Sequence, residues 1–234
     1  MKYLSAILTG ALAALLLSTG ASNSQAEKQY PAAWDRPGAT RLIDNDRGAA
    51  YHVVYQKDVP SPTHLHRYFF AGLDLNTATQ KVTDINGTAR LGTIIKDNMW
   101  YLPKGLLHTE VSTTDPARDM VVVDIKEKSV PEAVNNTSYP VQKFADYQRK
   151  VVENDKAIIW DCGWPSKGEG VTGFYSRDVF IAIAEGGDLS IEIPGQAAKV
   201  KHLDRAQAVF LPAGQARTLK SVNGTIHAML VELK

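Results

Sequence analysis

The feature that most constrains the fold of this chain is a repeat, because its second half resembles its first half. The segment LIDNDR at 42–47 returns as VVENDK at 151–156, and WYLPKG at 100–105 returns as VFLPAG at 209–214. Both pairs are offset by about 109 residues, and the halves also end alike, on VVVDIK and MLVELK. A constant offset indicates a duplicated unit of about 100 residues, so we expect two similar folding units.

Each unit contains short runs of β-branched and aromatic residues separated by turn residues. Examples are 69–75 and 120–125, and Asn-Gly, Lys-Gly and Gly-Gly pairs mark the turns. Many short strands at this spacing are typical of an all-β sandwich or barrel. Proline and asparagine are concentrated near 131–145, which marks a linker. The sequence therefore predicts an all-β fold with an N-terminal barrel at 27–135 and a C-terminal barrel at 136–234.

The first residues have the pattern of a secretory signal peptide. Lys2 gives a positive start, residues 7–17 are almost entirely apolar, and the run ends in Ser-Gln-Ala at 24–26. The apolar stretch is too short to span a bilayer comfortably, whereas small residues before a cleavage point are what a signal peptidase recognises. We therefore expect residues 1–26 to be removed and a periplasmic or secreted protein to begin at Glu27.

Charge and composition exclude two classes of partner. The formal net charge is +1, and lysine and arginine form no cluster. Proteins that bind nucleic acids or anionic membranes usually carry a basic patch. The sequence thus predicts no nucleic-acid partner and no membrane partner after signal removal. The sequence does not decide whether the protein forms a homo-oligomer.

Three histidines are the candidate metal ligands. His64 and His66 are separated by one residue, so they share one face of an extended strand. A second strand carrying His108 would complete three imidazoles around one point. Neutral imidazole suits zinc, iron and nickel, and we expect one divalent transition metal, with manganese as a fourth candidate. The alternative is a barrel without metal, in which the histidines form hydrogen bonds with Glu110 and Tyr68.

The histidine pair belongs to a segment that resembles the first motif of the cupin superfamily. That motif has two histidines separated by one residue, a glutamate four residues later, and then a glycine. His64 and His66 match, and Gly72 approximates the glycine, but Phe70 stands at the glutamate position. The resemblance therefore implies a metal site that lacks its usual carboxylate ligand.

The third histidine belongs to a segment that resembles the second cupin motif, Pro-x-Gly-x-x-His followed by asparagine. Pro103, Gly105 and His108 match, and Ser112 replaces the asparagine. The resemblance covers nearly the whole chain after the signal peptide. It implies a bicupin, in which two jelly-roll β-barrels follow one another.

The second unit departs further from the cupin motifs. An alignment through Arg67 and Arg177 puts Phe174 and Ser176 in the places of the paired histidines, and Arg217 in the place of the third histidine. We therefore expect the C-terminal barrel to lack metal ligands and to be structural or adapted to a non-metal ligand. Arg217 would then either bind a carboxylate through its planar guanidinium or lie exposed to solvent.

Two further side chains are candidates for a catalytic role. Glu110 lies two residues after His108, so it shares a strand face with that histidine. It would serve as an auxiliary ligand or as a proton acceptor, or it would be an exposed charge. Tyr68 lies two residues after His66 and is a candidate to line the pocket.

Three functions are compatible with these features. The first is an exported metal-dependent oxygenase, isomerase or hydrolase that acts on a small organic molecule. The second is a protein that binds a metal or a small ligand without turnover, and the third is a purely structural bicupin. Because Phe70 leaves the metal one ligand short and more positively charged, we expect an anionic ligand. A fold alone does not choose among these functions.

Overall fold

The computed structural model of the protein describes residues 30–126, 128, 130–144 and 148–234. Within these ranges the chain forms eighteen β-strands, one short 3-10 helix at Ala33–Asp35 and no α-helix, which confirms the all-β prediction. None of the helical structure in these ranges is long and apolar enough to cross a membrane. The predicted signal peptide lies outside the described residues.

The first half of the chain forms two antiparallel sheets. A five-stranded sheet has the order β1-β2-β9-β4-β7, and a four-stranded sheet has the order β3-β8-β5-β6. The strands are β1 (Ala39–Asp44), β2 (Gly48–Val54), β3 (His64–Leu65), β4 (Phe69–Asp74), β5 (Ala78–Asp84), β6 (Ala89–Ile94), β7 (Met99–Leu102), β8 (Leu107–Ser112) and β9 (Asp119–Ile125).

The second half repeats this architecture. Its five-stranded sheet has the order β10-β11-β18-β13-β16, and its four-stranded sheet has the order β12-β17-β14-β15. The strands are β10 (Gln148–Glu153), β11 (Ala157–Trp164), β12 (Thr172–Tyr175), β13 (Val179–Glu185), β14 (Gly187–Glu192), β15 (Lys199–Leu203), β16 (Ala208–Leu211), β17 (Gln215–Asn223) and β18 (Ile226–Leu233).

The repeated sequence around the first hairpin of each half forms the same turn twice. The Asn45 side-chain oxygen accepts hydrogen bonds from the second and third backbone N–H groups beyond it, at 2.8 and 3.1 Å. Asn154 does the same in the second half, at 2.8 and 3.0 Å. A register shift interrupts the ladder between Arg41 and Ile43, and an equivalent shift lies in β10. The predicted duplication is thus present in the local structure.

The interiors of the two halves differ in polarity. In the second half, seventeen buried residues, such as Ile181, Leu189 and Leu230, form one apolar cluster. The first half has a smaller cluster, which includes Tyr51 and Phe70. Its interior also contains buried polar and charged residues, namely Arg36, His64, His66, Asp74, Gln80, His108, Glu110, Arg118 and Asp124. Buried charges need partners, so this concentration marks the first half as the place to look for a functional site.

The two five-stranded sheets pack against each other. A third apolar cluster takes residues from both, including Ala71 and Val123 of the first half and Phe180 and Met229 of the second. An ion pair also crosses between the halves, since Arg47 Nε lies 2.6 Å from an Asp178 carboxylate oxygen. The domain boundaries at residues 26/27 and 135/136 stay predictions.

Candidate metal centre

Two neighbouring strands place two of the three histidines opposite each other. His64 begins β3, His108 is the second residue of β8, and their Cα atoms are direct partners in the ladder. His66 follows β3, and its N–H donates to the Leu106 carbonyl (2.9 Å) while its carbonyl accepts from the Gly105 N–H (2.7 Å). Because alternate residues of an extended chain share a face, His66 points to the same side as His64.

The three imidazoles meet inside the first barrel. One possible ligand atom of each lies within 4.8 Å of the other two, and the ring centroids are 4.8 to 5.2 Å apart. His64, His66 and His108 are 0%, 3% and 5% exposed. Phe70 stacks on His66 at 3.8 Å between ring centroids and closes one side of the cluster. The predicted meeting of the three histidines is confirmed.

The imidazoles are neutral, as metal ligands must be. Burial lowers the pKa of His64 from 6.5 to about 4, and the positive charge of Arg36 lowers it further. Burial also holds the pKa of His66 well below its usual value, with help from the other two histidines, and lowers the pKa of His108. A neutral imidazole keeps one nitrogen lone pair free for a metal.

Glu110 lies at the edge of the histidine cluster, on the same face of β8 as His108. Its two oxygens lie 3.6 Å from His108 Nε2 and 3.7 Å from His64 Nε2. Burial by itself would raise the pKa of this carboxyl, but the positive charges of Arg36 and Arg118 hold it well below its usual range. Glu110 is therefore an ionised group that is suited to balance positive charge and is a weak proton acceptor.

Arg36 is a site residue that the sequence analysis missed. It follows the 3-10 helix, and a parallel bridge between Ala32 and Leu65 brings this segment beside β3. Its Nη1 lies 2.8 Å from His64 Nε2 and 2.5 Å from Glu110 Oε2. The Pro62 carbonyl lies 2.9 Å from His64 Nδ1, which assigns the proton to Nδ1 and makes Nε2 the acceptor. A metal at His64 Nε2 would therefore displace this guanidinium contact.

The tyrosine that contacts Glu110 is Tyr55, the residue that directly follows β2. Its hydroxyl donates a short hydrogen bond to Glu110 Oε2. Tyr68, the tyrosine singled out from the sequence, instead stacks against Trp34, with ring centroids 5.6 Å apart. A catalytic role for Tyr68 stays a prediction, but the contacts of the site favour Tyr55.

A second network of buried hydrogen bonds, centred on Arg118, lies beside the contacts of Glu110. Arg118 binds one Asp74 oxygen with both Nε (2.8 Å) and Nη2 (2.6 Å), and Nη1 also donates to Gln80. The Trp100 indole N–H donates to the other Asp74 oxygen at 2.9 Å. Arg118 Nη1 lies 3.8 Å from Glu110, so this network adds a second positive charge beside the glutamate.

The histidine cluster fits a divalent transition metal, because it contains buried nitrogens that have no hydrogen-bond partner in the described part of the chain. Both ring nitrogens of His108 and Nδ1 of His66 are buried and have no hydrogen-bond partner among the described residues. Each unsatisfied buried group costs about 1–3 kcal/mol, and metal ligation would satisfy one nitrogen of each ring. His64, His66 and His108 would therefore hold such a metal, since their candidate ligand atoms all lie within 4.8 Å of one another.

The second half places different residues at the same positions. Gly173 pairs with Arg217 across β12 and β17 as His64 pairs with His108, and the bridge between Val141 and Phe174 repeats the one between Ala32 and Leu65. The counterparts of His64 and His66 are therefore Gly173 and Tyr175. The predicted counterparts, Phe174 and Ser176, were wrong by one residue, because ladder register and not the arginine pair fixes the equivalence.

Arg217 stands where the sequence analysis placed it, as the counterpart of His108. It is 2% exposed, so the solvent-exposed alternative is wrong. Its Nη1 donates to the Pro212 carbonyl at 2.8 Å, and its Nη2 donates to Gln215 Oε1 at 2.6 Å. Both partners are neutral, and the guanidinium is therefore a buried charge held by neutral groups.

Comparison with known proteins gives matches at the level of structure. No family model and no curated protein sequence matches the chain. AerE from Microcystis aeruginosa superposes with a TM-score of 0.58 at 13% identity, over 85% of this chain and 98% of that one. A cupin 2 conserved barrel domain protein from Leptotrichia buccalis gives 0.52 at 10% identity, over 96% and 100% of the two chains.

An enzyme also has this architecture. Salicylate 1,2-dioxygenase from Pseudoaminobacter salicylatoxidans, whose structure contains gentisate, superposes with a TM-score of 0.58 at 9% identity, over 83% of this chain and 73% of that one. Likeness at such low identity concerns the fold, not the reaction. The fold, the repeated sheet order and the two sequence motifs agree, and the chain therefore has the fold of the cupin superfamily in its two-barrel form.

Proposed function

We propose that the protein is an exported metal-dependent enzyme that acts on a small organic anion in its N-terminal barrel. The observation that carries this proposal is the cluster of three buried, neutral imidazoles of His64, His66 and His108. Ring nitrogens of His66 and His108 have no hydrogen-bond partner among the described residues. These three would hold one divalent metal, with zinc, iron, manganese and nickel as the candidates. A metal bound there would act as a Lewis acid toward water, oxygen or a substrate oxygen.

The other residues of the site would bind and orient the substrate. Among the described residues, Arg36 is the one cation that contacts both an imidazole and Glu110, and its planar guanidinium suits a carboxylate group. Glu110 would balance the charge of the metal or serve as an auxiliary ligand, since its carboxyl stays ionised. Phe70 covers His66 with an apolar ring and excludes water from that side.

A specific observation favours a second candidate, a metal-binding or ligand-binding protein without turnover. Arg36 and Tyr55 already contact Glu110, and Arg118 lies beside it. A carboxylate held in this way is a poor general base, and no other buried carboxylate lies at the cluster within the described ranges. Screening small carboxylates and enols with the metal-loaded protein separates the two candidates, since turnover supports the first and binding without turnover supports the second.

Metal content is the direct test of the site. The chain from Glu27 onward should contain close to one equivalent of a transition metal per chain when it is purified without chelator from its native compartment. We expect His108→Ala to reduce this content to near zero, because it removes one of three ligands. Mass spectrometry of metals measures the stoichiometry.

A matched control for this experiment is His202→Ala. The His202 side chain is 69% exposed and lies beside Asp188, on a strand of the second half. This variant should keep the full metal content of the wild type. Full metal retention by the triple alanine variant of the site histidines would contradict the proposal.

Export is the part of the proposal that rests on the sequence alone. Lys2, the apolar run at 7–17 and the small residues at 24 and 26 support removal of residues 1–26. Intact-mass measurement of protein recovered outside the cytoplasm should give a chain that begins at Glu27. An intact Met1 on the mature protein would contradict export by this route.

A further inference from the structure

The second barrel contains a cavity whose lining is largely aromatic and apolar. Its volume is about 140 Å³, and Phe144, Trp164, Tyr175 and Leu219 are among its walls. The Phe144 and Tyr175 rings meet edge to face, with centroids 5.7 Å apart. An engineered cavity of about 150 Å³ accepts one benzene molecule, so this volume suits a single six-membered ring.

The cavity lies at the position that the histidine cluster has in the first barrel. Tyr175 is the counterpart of His66 by the ladder register given above, and Leu219 lies two residues beyond Arg217 as Glu110 lies two residues beyond His108. The counterparts of His66 and Glu110 therefore both line the cavity of the second barrel. Aromatic and aliphatic side chains replace the ligands and the carboxylate.

Arg217 does not itself line this cavity, but it supplies a buried positive charge beside one of the cavity walls. Its Cζ lies 5.5 Å from the centroid of the Tyr175 ring, which forms one wall. Among the described residues no carboxylate lies within ion-pair distance of Arg217, and its hydrogen-bond partners Pro212 and Gln215 are neutral. Leu219, at the position of Glu110, supplies no counter-charge. A buried guanidinium is costly unless an anion pairs with it.

The other charged groups at the cavity do not neutralise the positive charge of Arg217. Lys220 lines the cavity, but its ammonium group already pairs with Glu192 at 2.6 Å. Glu169, which also lines the cavity, is exposed to solvent. Burial lowers the pKa of Arg217, and the negative charge of Asp178 offsets this effect only in part.

We infer that the C-terminal barrel is a second binding site, for a small organic anion made of one planar ring and a carboxylate. The ring would lie among Phe144, Trp164 and Tyr175. The carboxylate would extend from the cavity toward Arg217, whose guanidinium has five N–H donors and uses two in its contacts with Pro212 and Gln215. This site is independent of the metal and of the function proposed for the first barrel.

Benzoate is the probe for this site, and benzyl alcohol is its neutral counterpart. The chain from Glu27 onward, stripped of metal with chelator, is titrated with each compound by calorimetry and by tryptophan fluorescence, because Trp164 lines the cavity. We expect saturable benzoate binding at least about tenfold tighter than binding of benzyl alcohol, since a charge-assisted hydrogen bond is lost with the carboxylate. Absence of saturable benzoate binding would overturn the inference.

Substitutions test which residue and which barrel bind benzoate. Arg217→Gln should weaken benzoate binding about tenfold and remove the preference over benzyl alcohol, whereas Arg217→Lys should keep that preference. Arg149→Gln, which removes a 70% exposed side chain of the same half, and His108→Ala in the other barrel should leave binding unchanged. Benzoate binding that is lost in His108→Ala, or that keeps its preference in a folded Arg217→Gln variant, contradicts the assignment.

Discussion

At the residue scale, Asp124 shows how burial changes a single side chain. It is 1% exposed, and its one described hydrogen bond comes from the Tyr51 hydroxyl at 3.3 Å, while its Oδ2 has no partner. Burial raises the pKa of this carboxyl to about 8, although Tyr51 and Arg36 lower it in part. The folded protein therefore holds a neutral carboxylic acid at pH values where the unfolded chain is ionised.

This difference gives a prediction for the pH dependence of stability. An unfolded aspartate has a pKa of about 3.9, so the stabilisation from burying the neutral acid is complete below that pH and is lost as the pH rises to about 8. Asp124→Asn cannot ionise, and its free energy of unfolding should fall less than that of the wild type between pH 5 and pH 8. The expected difference is at most about 1.4 kcal/mol per pH unit.

Urea unfolding of both proteins at several pH values measures this effect. The Asn variant also keeps a side-chain oxygen that can accept the Tyr51 hydrogen bond, so loss of that bond does not mask the result. Parallel pH profiles for the two proteins would show that the Asp124 carboxyl is ionised in the folded state.

At the element scale, β4 and β7 are held together by a glycine and a tryptophan. Gly72 pairs directly with Trp100, and a Cβ added at Gly72 would lie 1.9 Å from Trp100 Cζ2. The indole cannot easily move away, because its N–H donates to Asp74. Gly72, which the sequence matched approximately to the glycine of the first motif, is thus required for close packing within the sheet.

Gly72→Ala should therefore destabilise the protein by about 1–3 kcal/mol, the usual cost of forcing extra atoms into a packed interior. Gly163→Ala is the matched control, because Gly163 also lies in a strand and an added Cβ would meet no atom within 4 Å. Chemical unfolding of both variants makes the comparison. Equal destabilisation by the two substitutions would mean that the contact with Trp100 is unimportant.

The positions of the strands were easier to predict from the sequence than the register between them. The runs at 69–75 and 120–125 correspond to β4 (Phe69–Asp74) and β9 (Asp119–Ile125), because β-branched residues bounded by turns mark a strand locally. The one-residue error in the second barrel arose because register depends on hydrogen bonds between strands far apart in sequence.

At the scale of the whole molecule, the two barrels form one packed body. Phe180 of β13 is 0% exposed and belongs to the cluster shared by both halves, and a Cβ added at Gly48 would lie 2.9 Å from its ring. We expect Phe180→Ala to cost about 3–5 kcal/mol and to lower the stability of both halves together. Calorimetry should show a single unfolding transition at a lower temperature.

An exposed residue provides the control for this prediction. Leu91 is 67% exposed, so Leu91→Ala should change the free energy of unfolding by no more than about 0.5 kcal/mol. Hydrogen exchange in β2, which belongs to the first half, tests the coupling directly. Two separate transitions, of which Phe180→Ala shifts only one, would show that the halves unfold independently.

The all-β fold, the duplication and the meeting of His64, His66 and His108 could be predicted from the sequence. These features follow from strand periodicity and from the spacing of a few residues within short segments. The contacts of Arg36 and Tyr55 with Glu110, and the burial of Arg217 beside an aromatic cavity, became visible only in the folded chain. Those contacts join residues that are distant in sequence, and the packing of the sheets, which no local pattern encodes, brings them together.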